Sequence, residues 1–245
     1  MPTIDAIIVG AGSGTRLGHS TPKAFVDLCG KPILIYSLKT FRSHPSINQI
    51  ILVVPPNMID ESEIIINRYD ELKNNITVTA GGDERWKSVQ NGVLSSNGDW
   101  VLIHDAARPF LTHEVIDSLL DKREQFDCVI TATPEVDTIR TIADNERCGM
   151  TIDRSKLLRV GTPQLFRRNT LMSSFDQIKN MAAPPTDEAA LFESLGMEIG
   201  YSWGDPLNFK ITTKTDLEIA AAIIETGAVS KSVIASAQPT PSLRA

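Results

Sequence analysis

Three glycines fall within five residues at Gly10-Ala11-Gly12-Ser13-Gly14, and the cations Arg16, Lys23 and Lys31 follow, with Asp27 the single acid in that stretch. Glycines let the backbone turn sharply and bring several N–H groups onto one anion. A plain strand-end turn accounts for the glycines taken alone, and Arg16 and Lys23 taken alone read as solvated surface charges. Together they read better as a cradle for a polyphosphate. Asp105 is the best candidate metal or ribose ligand, since Mg²⁺ is held by one or two carboxylates plus substrate phosphates. A helix cap or an ion-pair partner for Arg108 is its other reading. Lys210 lies in the otherwise apolar and Thr-rich run NFKITT, where a lysine on a buried face needs an anionic partner. Arg154 directly follows Asp153, so a simple ion pair within a hairpin stays open for it.

The same residues exclude other chemistries. The glycine loop is neither GxxxxGK[ST] nor GxGxxG, which demotes P-loop hydrolases and ordinary dehydrogenases. No GxSxG and no supported cysteine nucleophile offers a hydrolase triad. His19, His44, His104 and His113 have no metal-ligand spacing and read as structural or surface residues. What remains is phosphate handling without acid–base machinery. Nucleotidyl transfer needs little else, because in-line displacement is accelerated by positioning and charge neutralisation.

Apolar runs at Ala6–Val9, Ile47–Val54, Ile76–Thr79, Trp100–His104 and Cys128–Thr133 predict buried strands. Helices are predicted over Ile33–Phe41, Met58–Leu72, Glu84–Leu94 (with Asp83 as N-cap) and His113–Arg123. Strands alternating with helices imply a largely parallel, doubly wound α/β sheet, whose ligands sit beyond the carboxyl ends of the strands. Gly10–Gly14, Gly81–Asp83 and His104–Arg108 all fall at that edge. Two partly alternating runs between Glu135 and Arg154 predict a projecting hairpin, which is marginal in water by itself and therefore packs on another subunit. Arg159–Phe166 returns to the main body, helices follow near Asn169–Lys179 and Asp187–Leu195, then a strand over Glu198–Trp203. The run Asn208–Thr212 precedes a last helix, Lys214–Thr226. The reading is one domain over residues 1–226 with an arm at about 135–154, and a Ser-, Ala- and Pro-rich tail over 227–245 that is expected to be disordered.

With 245 residues, 42% apolar and 22% charged, the chain has the composition of a soluble globular protein with a substantial core. A net charge of -6 and a pI near 5.3 argue against a nucleic-acid partner. Cys29, Cys128 and Cys148 read as reduced thiols of a cytoplasmic protein. The first strand begins by Ile4, which leaves no room for a signal peptide, and no apolar run approaches the ~20 residues of a membrane span.

The series GAGSGTRLG, TPKAF, GKP, GGDERWKSV, HDAARPF, VDT, TIDR, GTPQLF, TDEAAL and NFKITT resembles the methylerythritol phosphate cytidylyltransferase family from about Ile4 to Ile224. The resemblance implies a Rossmann-like nucleotide-diphosphosugar transferase fold, a mostly parallel mixed sheet with a protruding, dimerising β-arm. It implies transfer of CMP from CTP to 2-C-methyl-D-erythritol 4-phosphate with Mg²⁺, releasing pyrophosphate, in isoprenoid precursor synthesis. By the same resemblance Arg16 and Lys23 act on the transition state, while Gly12 and Gly14, within the loop that includes Gly10, Ala11 and Ser13, offer N–H groups to the phosphates. Gly82, Asp83 and Ser88 would read the cytosine, and Asp105 and Ala106 would hold the ribose and metal region. Arg154 and Lys210 would place the acceptor phosphate, Arg108, Thr162 and Thr186 would complete that pocket, and Thr138 would reach in from the partner's arm.

Gly10 and Ala24 depart from the family pattern, where Ala and Gln are usual. A sister family acting on ribitol 5-phosphate or related pentitol phosphates is the nearest competitor, and Ala107 and TIDRSKLLRVGTPQ favour methylerythritol phosphate. A catalytically silent nucleotide-binding regulator is the reading from another class.

Overall fold

A computed structural model of the chain describes residues 2–12, 21–144, 146–181 and 183–227. Ser13, Gly14, Arg16 and the expected tail beyond Gly227 lie outside the described residues. In chain order the elements are β1 (Ile4–Val9), β2 (Asp27–Leu28), β3 (Lys31–Pro32), α1 (Ile33–Ser43), β4 (Gln49–Val54), α2 (Ile59–Ile66), β5 (Ile76–Ala80) and α3 (Arg85–Leu94). They continue with β6 (Trp100–Asp105), α4 (His113–Leu120), β7 (Cys128–Pro134), β8 (Ile139–Ile142), β9 (Cys148–Ile152), β10 (Leu158–Arg167), α5 (Arg168–Ser174), α6 (Ala189–Ser194), β11 (Gly200–Trp203) and α7 (Lys214–Glu225).

Seven strands form one sheet in the order β11-β7-β10-β6-β1-β4-β5. The pairs β4–β5, β1–β4, β1–β6 and β7–β11 are parallel, whereas β10 runs antiparallel to both β6 and β7. The fold is thus the expected mostly parallel mixed sheet. Its central strands read as continuous apolar runs because both faces are covered. Ile4, Ala6 and Ile8 of β1, Ile50, Leu52 and Val54 of β4, and Trp100 and Leu102 of β6 pack with Leu34, Leu38, Phe41, Ile65, Ile116 and Leu119 of α1, α2 and α4. The alternate residues Ile7, Ile51, Val53, Val101 and Ile103 pack with Val89, Val93, Leu171, Leu191 and Phe192 of α3, α5 and α6. Gly92 lets α3 lie against β1, since a Cβ there would stand 2.5 Å from Ile7 Cγ2. A third cluster joins Ile211 and Ala220 to Val26, Leu28, Ile33 and Phe110, seating α7 beside the β2–β3 ribbon.

Several expected elements are corrected. The helix over Met58–Leu72 divides, because Tyr69 is extended between α2 and a 3₁₀ turn at Asp70–Leu72, and this bend delivers Leu72 to the core. Asp83 does not cap α3. Glu84 holds that position without a side-chain cap bond, and the Asp83 carboxylate pairs with Lys87 Nζ at 2.8 Å. The helix expected near Asn169–Lys179 is α5 followed by a 3₁₀ segment, Phe175–Asn180. The hairpin expected between Glu135 and Arg154 is present as β8 and β9, a separate antiparallel pair with Ile139 opposite Ile152. It leaves Ile142 95% and Met150 78% exposed. Among the described residues no helix is long and apolar enough to cross a membrane.

Candidate active site

Four parallel strands, β6, β1, β4 and β5, end side by side, and β6, β1 and β5 each hand over to a segment nominated from the sequence. Gly10 N donates to Val53 O at 2.7 Å, Gly81 N to Val54 O at 2.7 Å, and Ala106 N to Val9 O at 3.0 Å, so each segment extends the ladder by one bond before it departs. Between them lies a cleft of about 490 Å³, lined by Gly10, Ala11, Gly12, Lys23, Gly82, Asp83, Ser88, Asp105, Ala106 and Lys210. The walls touch closely: a Cβ at Gly81 would clash with that of Ala11 and lie 2.8 Å from Ser88 Oγ. Ser88 Oγ accepts from Gly82 N at 3.1 Å and donates to Glu84 O at 3.2 Å, which fixes the glycine turn on the first turn of α3. Gly10 and Ala24, the two departures from the family pattern, are neighbours, since a Cβ at position 10 would stand 3.2 Å from that of Ala24.

Asp105 ends β6 with its side chain nearly buried among three cations: Lys210 Nζ at 2.8 Å, Arg85 Nη2 at 3.5 Å and Arg108 Nε at 3.8 Å. Burial alone would raise its pKa, but Arg85, Lys210 and Arg108 together hold the carboxyl well below the usual carboxylate range. The partner for Lys210 that the sequence called for is therefore Asp105, and the pairing of Asp105 with Arg108 is also present.

Sequence reading missed Arg85 and Glu188. Arg85 Nη1 donates to both carboxylate oxygens of the fully buried Glu188, at 2.7 and 2.8 Å. Burial pushes Glu188 up against the opposing Arg85 charge. Arg85 in turn stays charged, because Glu188 and Asp105 outweigh its desolvation. The available signals are Arg85 inside GGDERWKSV and Glu188 inside TDEAAL, where an acid at the start of a helix is ordinary.

Behind Asp105 a chain of hydrogen bonds has one consistent direction. His104 Nε2 faces the carbonyl of Arg108 at 3.1 Å and must donate to it, so Nδ1 accepts from Thr162 Oγ1 at 3.1 Å. Thr162 Oγ1 accepts in turn from Asp105 N at 3.1 Å. Burial holds His104 neutral, with its pKa pushed down to about 4. The Thr162 hydroxyl is thus committed to the protein interior, where it fixes the end of β6.

A second cavity of about 530 Å³ shares Lys210 with the cleft and is lined by Arg108, Thr131, Thr133, Arg159, Gly161, Thr162 and Asn208, among others. Arg154, Thr138 and Thr186 line neither space. Thr138 and Thr186 are exposed, and the Arg154 guanidinium donates to Val136 O at the base of the hairpin. The ion pair left open between Arg154 and its neighbour is replaced by Asp153 with Lys156 at 3.7 Å. Among the described residues no three side chains of metal-ligating type cluster together. An arrangement so rich in cations, with backbone N–H groups at a glycine turn, binds polyanions.

The sequence model of the 2-C-methyl-D-erythritol 4-phosphate cytidylyltransferase family matches residues 4–226. The enzyme of that name from Clostridium botulinum is 38% identical over 222 residues, 90% of this chain and 99% of its own. Its counterpart from Bacillus licheniformis is 36% identical, covering 90% and 95%. Among solved structures, the 4-diphosphocytidyl-2C-methyl-D-erythritol synthase of Anaerococcus prevotii superposes with a TM-score of 0.80 at 28% identity, covering 91% of this chain and 99% of that one. With the family's sequence model matched over residues 4–226 and the fold shared, the chain belongs to the 2-C-methyl-D-erythritol 4-phosphate cytidylyltransferase family.

Proposed function

We propose that the chain transfers CMP from CTP to 2-C-methyl-D-erythritol 4-phosphate, the activity its relatives are named for, as a step of isoprenoid precursor synthesis. The observation that carries this reading is the cleft at the carboxyl edge of β1, β5 and β6, where Lys23, Lys210 and Asp105 converge beside the glycine turns. An acceptor phosphate oxygen attacks the α-phosphorus of CTP in line as the bond from that phosphorus to the bridging oxygen breaks, and pyrophosphate leaves. Lys23 and Arg16 neutralise the charge that develops, and Lys210 at the wall between the two cavities orients the acceptor phosphate. Gly82, Asp83 and Ser88 take the base, Asp105 and Ala106 the ribose, and Arg108 the acceptor side.

Mg²⁺ belongs to the same reading. Asp105 would hold it as a single anionic ligand, since among the described residues Oδ1 faces only Arg85, at 3.5 Å, while Oδ2 lies on Lys210, and substrate phosphates would supply further oxygens. When bound, the ion would neutralise phosphate charge. Homodimerisation through the hairpin is proposed with it, because an isolated two-stranded arm with exposed Ile142 and Met150 is marginal alone, and it would bring Arg154 and Thr138 of one subunit to the other's site. A cytoplasmic location and one domain over residues 1–226 complete the proposal, the former resting on the free thiols Cys29, Cys128 and Cys148.

Incubating the full chain with CTP, Mg²⁺ and methylerythritol phosphate is expected to release pyrophosphate and form the cytidine diphosphate adduct, read by phosphorus NMR. Faster turnover of ribitol 5-phosphate would move the chain to the pentitol phosphate enzymes, and CTP binding without turnover of either would make it a regulator.

A further inference from the structure

The second cavity contains an arginine that neither the motif series nor the reading above uses. β10 puts Arg159 and Gly161 on one face, and their cross-strand partners on β7 are Thr133 and Thr131. All four line the cavity. Gly161 lies beneath Arg108, where a Cβ would make only ordinary contact, 3.6 Å from Arg108 Nη1.

Several polar groups around this cavity are committed elsewhere, although Arg108 Nε and Asn208 Oδ1 are buried without a hydrogen-bond partner among the described residues. Thr131 Oγ1 donates to Pro163 O at 2.5 Å, and Arg108 Nη1 donates to Asn208 O at 3.0 Å. Asp205 accepts from Leu207 N at 2.8 Å, and Asp216 accepts from Thr212 N and Thr213 N at 2.8 and 2.7 Å. Arg159 differs. Its guanidinium makes no hydrogen bond among the described residues and has one loose ion pair, to Glu135 at 4.0 Å, whose other oxygen accepts from Val136 N and Asp137 N. Thr133 Oγ1 likewise has no hydrogen bond among the described residues. The Arg159 guanidinium, with its side chain 64% exposed, and the Thr133 hydroxyl thus keep donors available at the edge of the cavity.

Thr162, three residues along β10 from Arg159, abuts Asp105 at the reacting end, so Arg159 lies about 10 Å farther along the strand. With the acceptor phosphate at Lys210, as in the reading above, an acceptor running into the second cavity would pass Gly161 toward Thr133 and Arg159. We infer that Arg159 and Thr133 of the same subunit hold the hydroxyl groups of the acceptor polyol, at the end away from its phosphate. This rests on the cytidylyltransferase reading and adds to it the residues that grip the polyol.

The test is steady-state kinetics of the full chain at saturating CTP and Mg²⁺ with methylerythritol phosphate varied. Arg159→Gln and Thr133→Val are each expected to raise KM for the polyol phosphate about tenfold, with kcat and KM for CTP within about twofold of the parent. Arg159→Lys and Thr133→Ser, which keep a donor, are expected to recover most of that loss, and they carry the test if either larger change impairs folding. A polyol phosphate KM within twofold of the parent in Arg159→Gln and Thr133→Val overturns the inference while leaving the activity standing. A parent chain that releases no pyrophosphate with any polyol phosphate overturns both.

Discussion

Asp105 is held by Lys210, Arg85 and Arg108 at once, and Glu188 decides how strongly Arg85 takes part. Arg85 lies 2.7 Å from Glu188 but 3.5 Å from Asp105, so the buried acid draws the guanidinium away and leaves one side of Asp105 open to the cleft. Ion pairs this deep contribute little net stability, yet removing one member strands the other without a counter-charge. Glu188→Gln is therefore expected to lower the unfolding free energy by roughly 3 kcal/mol in a urea titration. A loss below about 0.5 kcal/mol would show that water or Asp105 compensates Arg85. Asp105 and Lys23 were legible in the sequence because a strand end and the glycine loop flag them, and Lys210 because a lysine in an apolar run calls for an anionic partner. Arg85 and Glu188 were not: residues 103 apart form this pair, and only the packing of α3 against the start of α6 joins them. Thr162 was named only through the family resemblance, and its commitment to His104 and Asp105 N depends on the β6–β10 register.

At the scale of elements, the end of α1 and helix α4 meet through a buried histidine. His44 Nδ1 accepts from Ser46 N at 3.2 Å, so Nε2 carries the proton and donates to Asp117 at 3.1 Å, while the ring packs edge-on against His113. Burial lowers the His44 pKa below its ordinary 6.5 despite Asp117, whose side chain is 63% exposed and so well screened. The unfolded chain then takes up a proton first as pH falls below 6.5, so this contribution to stability is complete above that pH and is lost on acidification. His44→Gln is expected to flatten the fall in melting temperature between pH 7 and pH 5 relative to the parent, and identical slopes would contradict it. The strands were legible because runs buried on both faces are unbroken. The break in the helix expected over Met58–Leu72 was not, since it is the burial of Leu72, a tertiary demand, that extends Tyr69.

For the whole molecule, the hairpin between β7 and β10 is the part with the least to hold it in one chain. If it is a dimer contact, Ile142→Asp is expected to halve the mass seen by light scattering and leave the circular dichroism unchanged. A parent already at the mass of one chain would remove the basis for a shared site. The hairpin itself was legible as alternation around a polar turn, whereas the place of β10 was not, because nothing local tells a strand to run against its neighbours. That place affects the order in which the protein can be assembled. β5, β4, β1 and β6 adjoin one another and all lie within the first 105 residues, so a nascent chain can pair them as they emerge. The outer edge of β6, every residue of which is buried in the finished sheet, then has to wait for a strand that begins at Leu158. While the ribosome adds the residues between, that edge is an unpaired template for other chains, and the growing protein is at its most sticky.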